Sequence, residues 1–242
     1  MFKGATTFSQ SLDSWVTSSV ERFDYMFAEA TSFNQPLASF DTAEAATMQG
    51  MFSGATSFDQ PLPWDVGQVE DMDEMFLSTK FNQDISSWVT SSLTSMRLIF
   101  ANNKVFNSPI KFDTSKVENI AGAFLNAISF NQSLQDWDTA EVTDMKSLFF
   151  NATSFHEPLC WELNNAVEVD DMFCGSLGSF NESCVHFIGL IDKTLEDCGK
   201  YRDNDGLEAG GDGGEASGSG KSMHSVGALS SCVALAAAFL ST

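Results

Sequence analysis

The sequence predicts an α/β fold, a right-handed leucine-rich-repeat-like solenoid of about seven strand-helix units of 24–25 residues, with a parallel sheet along one face. Three observations predict it. A Met-Phe pair or a close relative returns at Met1-Phe2, Met26-Phe27, Met51-Phe52, Met75-Phe76, Ile99-Phe100, Ala123-Phe124, Leu148-Phe149 and Met172-Phe173. A phenylalanine with a polar pair follows in each unit, as in Phe33-Asn34-Gln35 and Phe81-Asn82-Gln83. Each unit then closes on apolar residues at helical spacing. One such unit cannot bury its apolar face alone, so neighbours must stack, and stacked units present long surfaces suited to binding.

Taken in order, each unit starts with the Met-Phe pair and a small residue such as Ala5, Ala30 or Ala55. The segment from the second Phe to the next aliphatic residue (Phe8 to Leu12, Phe33 to Leu37) reads as a short strand with both ends inward. Strict alternation along that strand turns Gln10, Gln35, Gln60, Gln83 and Gln132 toward the core, where stacked amides satisfy one another. Pro36, Pro61, Pro109 and Pro158 cannot donate to a sheet ladder, so the regular strand is only three or four residues long. An aromatic column follows at Trp15, Phe40, Trp64, Trp88, Phe112, Trp137 and Trp161.

The closing segment reads as a helix. Val20, Phe23, Met26, Phe27 and Ala30 fall on one face at 3.6 residues per turn. Thr17, Ser18 and Ser19 precede it as N-cap residues, and Thr42, Thr90, Thr114 and Thr139 repeat that signal. Gly67 and Leu163 break the column. The 22 Phe and 10 Met of the chain fill these columns as core, not as a cofactor box.

The strings ATSFNQPLASFDT, SFNQSLQDWDTAEVTDMKSLF and VEDMDEMF resemble the BspA-like leucine-rich-repeat surface proteins. They follow the mycoplasma-lipoprotein-type repeat M-F-x-x-A-x-x-F-N-Q-x-L-x-x-W-D-T-S-x-V-T-x-M. The resemblance covers about residues 1–173. It implies a secreted or cell-surface protein that adheres or binds protein, with no chemistry of its own. His156-Glu157 stands where Asn-Gln is usual, as expected of a terminal repeat.

Four segments are expected: repeats over 1–173, a cysteine-containing cap over 174–200, an acidic glycine-rich linker over 201–220 and a hydrophobic anchor signal over 221–242. Met1 is itself a repeat methionine and no signal peptide is present, so a leader and an N-terminal cap are expected upstream. Cys160 and Cys184 are one period apart, as are Cys174 and Cys198. On adjacent rungs each pair lies within disulfide reach, which predicts Cys160–Cys184 and Cys174–Cys198. Four cysteines admit three pairings, and free buried thiols are the alternative. No C-x-x-C pair marks a zinc site.

At the end of the chain, small residues Ser217-Gly218-Ser219 precede an eight-residue spacer and the apolar run ALSSCVALAAAFL. That order is the pattern of a GPI-attachment signal, with Ser217 as the lipidation site. A membrane tail or a chance apolar end is the alternative. Asn131, Asn151 and Asn181 open N-x-S/T sequons, of which Asn151 and Asn181 are the glycosylation candidates.

The net charge of −21 repels nucleic acid and anionic membrane surfaces. Three histidines and no nucleophile, zinc or phosphate-loop motif argue against an enzyme, and no metal or cofactor is implied. The expected function is a surface-anchored binding or adhesion protein with an extracellular protein or glycan partner. The candidate binding column is Ser9, Asn34, Asp59, Asn82, Asn107, Asn131 and His156. The same column also reads as a hydrogen-bond ladder that holds the stack together. A structural wall or coat component, an ice-binding surface and an intracellular interaction module are the alternatives. One Thr per unit, without Thr-x-Thr ladders, speaks against ice.

Overall fold

The computed structural model describes residues 1–163 and 167–180. Successive copies of the repeat lie side by side and in register. A chain of parallel bridges marks this, running Arg22–Thr47–Asp71–Ser95–Asn119–Asp144–Glu168. After each bridge, four backbone N–H groups donate to carbonyls one unit further on. Phe23, Tyr25, Phe27 and Glu29 donate to Thr47, Gln49, Met51 and Ser53 at 2.7–3.0 Å. The same four bonds recur at every junction through Met145, Ser147, Phe149 and Asn151.

No helix is found among the described residues, so the helix expected from the closing segment is corrected to a coil of turns. The physical reason is the destination of the N–H groups. A helix would send each back four residues; here every second one crosses to the next unit. The residues between close local turns, as in Met26 N–H to Phe23 O, Ala28 N–H to Tyr25 O and Ala30 N–H to Phe27 O. Each unit also carries two left-handed residues four apart, such as Tyr25 (φ 51°) and Glu29 (φ 59°), or Leu98 (φ 57°) and Asn102 (φ 57°). A left-handed residue ends a right-handed helix. Overlapping four-residue turns place inward side chains three and four apart, as a helix does. The expected apolar face is therefore buried (Phe23, Met26, Phe27 and Ala30) although the backbone differs. Thr17, Thr42, Thr90, Thr114 and Thr139 accordingly cap no helix. They are buried, and each hydroxyl donates to a carbonyl of the next unit, Thr42 to Asp65 O at 2.7 Å and Thr90 to Asp113 O at 3.1 Å.

The core is a double ladder of phenylalanines. One column runs from Phe2 through Phe27, Phe52, Phe76, Phe100, Phe124 and Phe149 to Phe173, with successive ring centroids 5.6–5.8 Å apart. A second runs from Phe8 to Phe155 at 5.7–6.5 Å. Within a unit the two rings stack at 3.8–4.1 Å, for example Phe52 on Phe58. Each such pair contributes ~0.5–1.5 kcal/mol beyond the area it buries. The Trp column closes the core, and Trp64, Trp88 and Trp161 each donate Nε1–H to the aliphatic-column carbonyl of the preceding unit.

The expected strand is regular at one place among the described residues. There, β1 (Pro158–Leu159) pairs parallel with β2 (Ser179–Phe180). Elsewhere among the described residues the segment forms no sheet ladder. Its middle pair does not turn inward. Gln10 is exposed and Gln35, Gln60, Gln83 and Gln132 are half-buried, which corrects the expectation of a buried glutamine stack.

Candidate interaction surface

The polar column is built by side chains bonding to backbone. Each residue's side-chain oxygen accepts the backbone N–H of the equivalent residue in the next unit. Asn34 Oδ1 accepts from Asp59 (2.9 Å), Asp59 Oδ1 from Asn82 (3.0 Å), Asn82 Oδ1 from Asn107 (2.8 Å), Asn107 Oδ1 from Asn131 (2.9 Å) and Asn131 Oδ1 from His156 (3.1 Å). The glutamines add a second bond to the same oxygen. Gln60 Nε2 reaches Asn34 at 3.1 Å, Gln83 reaches Asp59 at 2.9 Å and Gln132 reaches Asn107 at 3.0 Å. Ser108 takes the glutamine's place and donates to Asn82 O at 3.0 Å. The binding candidates of the sequence are thus brought into one row, and their oxygens form its inter-unit joint.

The other half of each amide is free. No hydrogen bond is made by Nδ2 of Asn34, Asn82, Asn107 or Asn131 within the described residues. Trp137 Nε1 is the buried side-chain polar atom left without a partner among the described residues, so the amides of Asn34 and Asn131 reach water. Asn82 and Asn107 are exposed and Asn34 and Asn131 half-buried. Asp59 interrupts the row with a carboxylate. His156 ends it, its exposed ring Nδ1 3.0 Å from Ser154 O.

Three further arrays are not legible in the sequence. Asn102, Asn126 and Asn151 sit at the second left-handed position of their units. Asn126 Nδ2 donates to Asn102 Oδ1 at 2.7 Å and Asn151 Nδ2 to Asn126 Oδ1 at 2.9 Å. Asparagine's tolerance of positive φ is the signal that could have found them. The buried threonine struts are the second array. The third is an acidic corner. Asp24 accepts from Thr47 at 2.6 Å and pairs with Arg22 at 2.5 Å, and Asp73 accepts from Ser95 and from the Arg97 backbone. Arg97 also holds Glu74 at 2.7 Å. Burial pushes the Asp71 carboxyl above its ordinary value, with Asp73 and Asp24 adding to it and the Asp73 N–H bond and Arg97 opposing. Burial likewise raises Tyr25, with Glu74, Asp71 and Asp24 adding. The outer carboxylates go the other way. Ser115 donates twice to Asp113 and Ser86 N–H donates to Asp84, and both carboxyls are held below the usual range. No group of three or more His, Cys, Asp or Glu among the described residues is arranged to hold a metal ion.

Of the two sequons within the described residues, Asn131 is half-buried and committed to the row, and Asn151 is exposed. Cys160 and Cys174 are both disulfide-bonded. Their expected partners Cys184 and Cys198, the sequon at Asn181, the lipidation site Ser217, the linker and the anchor signal lie outside the described residues.

A family model described as a Mycoplasma protein of unknown function, DUF285, matches residues 1–88 and again residues 77–187. The chain belongs to the DUF285 family. That is the family of the BspA-like mycoplasma repeat surface proteins, so the resemblance read from the repeats holds at family level. No curated protein and no solved structure matches the chain.

Proposed function

We propose that this DUF285 chain is a cell-surface binding or adhesion protein. It presents the column Asn34, Asp59, Asn82, Asn107, Asn131 and His156 to an extracellular partner. The observation that carries the reading is the division of labour within each asparagine. Oδ1 is occupied by the stack, while Nδ2 is held in a fixed direction and left to solvent. A row of pre-oriented donors contributes to binding without an ordering penalty at each contact. The architecture we infer is a right-handed solenoid of the leucine-rich-repeat kind, with a coil of turns where such repeats carry a helix, and with the M-F…F-N-Q…W-D-T string as its unit. Disulfide-bonded Cys160 and Cys174 fit an oxidising, extracellular setting. The C-terminal run fits a GPI signal attached at Ser217, giving a membrane link through lipid.

The test is to express the full chain behind a supplied signal peptide in a eukaryotic secretory host. The cells are treated with phosphatidylinositol-specific phospholipase C and assayed for adhesion to coated surfaces. Release by the enzyme, and adhesion lost in Asn82→Asp/Asn107→Asp, are the expected results. Adhesion indifferent to that variant would remove the column from the function, and retention after the enzyme would remove the lipid anchor.

A further inference from the structure

The coil side carries one apolar patch that the repeat does not require. Phe150 is 37% exposed and stands outside both ring ladders, Ile128 is 38% exposed, and Leu125 is half-buried beside them. The residues equivalent to Phe150 in the first three units are Lys3, Ala28 and Ser53, and those equivalent to Ile128 are Thr6, Thr31 and Thr56. An apolar patch where other units are small, polar or charged marks a contact. We propose that Asn151 carries an N-linked glycan whose first sugar lies on the Phe150 ring and shields Ile128; this rests on the reading of the chain as extracellular.

Asn126 ties the patch to the attachment point. Its backbone N–H donates to Phe150 O at 2.7 Å, its carbonyl accepts from Ile128 N–H at 2.9 Å, and its Oδ1 accepts from Asn151 Nδ2 at 2.9 Å. The patch residues thus flank the Asn126–Asn151 link. Asn151 opens the sequon Asn151-Ala152-Thr153, and both Asn151 and Thr153 are exposed. Asn102 and Asn126, the other asparagines of this row, open no sequon.

The amide can take the sugar without leaving the row. Nδ2 carries two hydrogens. One is donated to Asn126 Oδ1, and the other is given up in the reaction. The donor is a lipid-linked oligosaccharide, a polyprenyl diphosphate joined to C1 of its first sugar. The N–C1 bond forms, the C1–O bond breaks with its electron pair leaving on the diphosphate, and the amide proton is released. The product keeps one N–H, enough for the bond to Asn126. A pyranose ring presents C–H groups on one face, so laying it on Phe150 removes apolar surface from water. Asn131, the other sequon within the described residues, offers no such ring, because Phe130 beside it is fully buried.

The experiment is glycan site mapping and thermal melting of the full chain, secreted from a eukaryotic host behind a supplied signal peptide. Asn151 should be occupied, and Thr153→Ala, a change at an exposed position, should abolish that glycan. The parent, Thr153→Ala, Phe150→Ser and the double variant form a cycle. Loss of the glycan should lower Tm by about 2–4 °C with Phe150 in place and by less than about 1 °C in the Phe150→Ser background. Any effect of the Thr153 hydroxyl itself is common to both backgrounds and cancels. An unmodified Asn151 on the secreted chain overturns the proposal. An equal Tm loss in both backgrounds also overturns it, because the ring then makes no contact with the sugar. Either result, with adhesion still lost in Asn82→Asp/Asn107→Asp, overturns the glycan and leaves the surface reading intact.

Discussion

The two sides of each unit solve the same problem by different means. On the coil side, the joint common to every junction is backbone, four N–H···O bonds each, to which side chains add only at some junctions, as Asn126 Nδ2 does to Asn102 Oδ1. On the column side they are joined by side chains, Asn or Asp oxygen to the next backbone N–H. A backbone joint does not depend on which side chain stands there. The first left-handed position accordingly holds Tyr25, Gly50, Glu74, Leu98, Gly122, Ser147 and Asp171 in turn. A side-chain joint requires a short carbonyl-bearing side chain, and Asn or Asp fills every complete rung between Asn34 and Asn131.

That difference generates graded predictions. Both joints depend on the core between them, so the largest effect belongs there. Phe76 is fully buried and contacts the rings of Phe52, Phe81, Trp88 and Phe100. Phe76→Ala should cost ~3–5 kcal/mol in urea unfolding. A loss under about 1 kcal/mol would mean the ring ladder is not what holds the units.

Thr90 is an intermediate case, a side-chain strut. Its buried hydroxyl donates to Asp113 O at 3.1 Å. Thr90→Val keeps the shape and strands that carbonyl, an expected loss of ~1–3 kcal/mol. An unchanged midpoint would show water taking over the bond.

The coil side should tolerate or welcome change. Ser147 sits at φ 54° with its backbone bonded to Asp170 O. Ser147→Gly removes left-handed strain without touching that bond, so stability should rise by up to about 1 kcal/mol. A loss of similar size would show that the serine side chain, not the backbone, matters there.

The acidic corner sharpens the comparison through pH. A carboxyl whose folded pKa is raised binds its proton more tightly folded than unfolded. The contribution of Asp71 is therefore fully present below the ordinary carboxylate range and is lost as pH rises through its raised folded value. Asp71→Asn should be neutral or stabilising at pH 7, and its urea midpoint relative to the parent should rise as pH climbs through the raised folded value. An advantage over the parent that shrinks as pH rises would contradict the assignment.

How much of this can be read in the sequence follows the same division. Where side chains join the units, the requirement is written in residue types, and the row from Asn34 to His156 is legible in full together with its second reading as a ladder. Where backbone joins them, no residue type is required. The left-handed pairs are mostly not glycine, as Tyr25, Glu74, Leu98 and Asp171 show. With no glycine signal and an apolar spacing shared by helices and chained turns, the sequence points to a helix where a coil of turns stands. The buried faces agree because burial follows spacing, not hydrogen-bond pattern. The threonines mislead for a related reason. A hydroxyl beside an apolar run serves a helix cap or an inter-unit strut equally well.

The most direct test of the column as a side-chain joint is a paired urea melt of Asn107→Asp and Asn107→Ala. Asn107 Oδ1 accepts from Asn131 N–H and from Gln132 Nε2. Asn107→Asp should leave stability within about 0.5 kcal/mol of the parent, whereas Asn107→Ala strands the donors and should cost ~1–3 kcal/mol. Equal losses in both variants, or none in either, would contradict a side-chain joint.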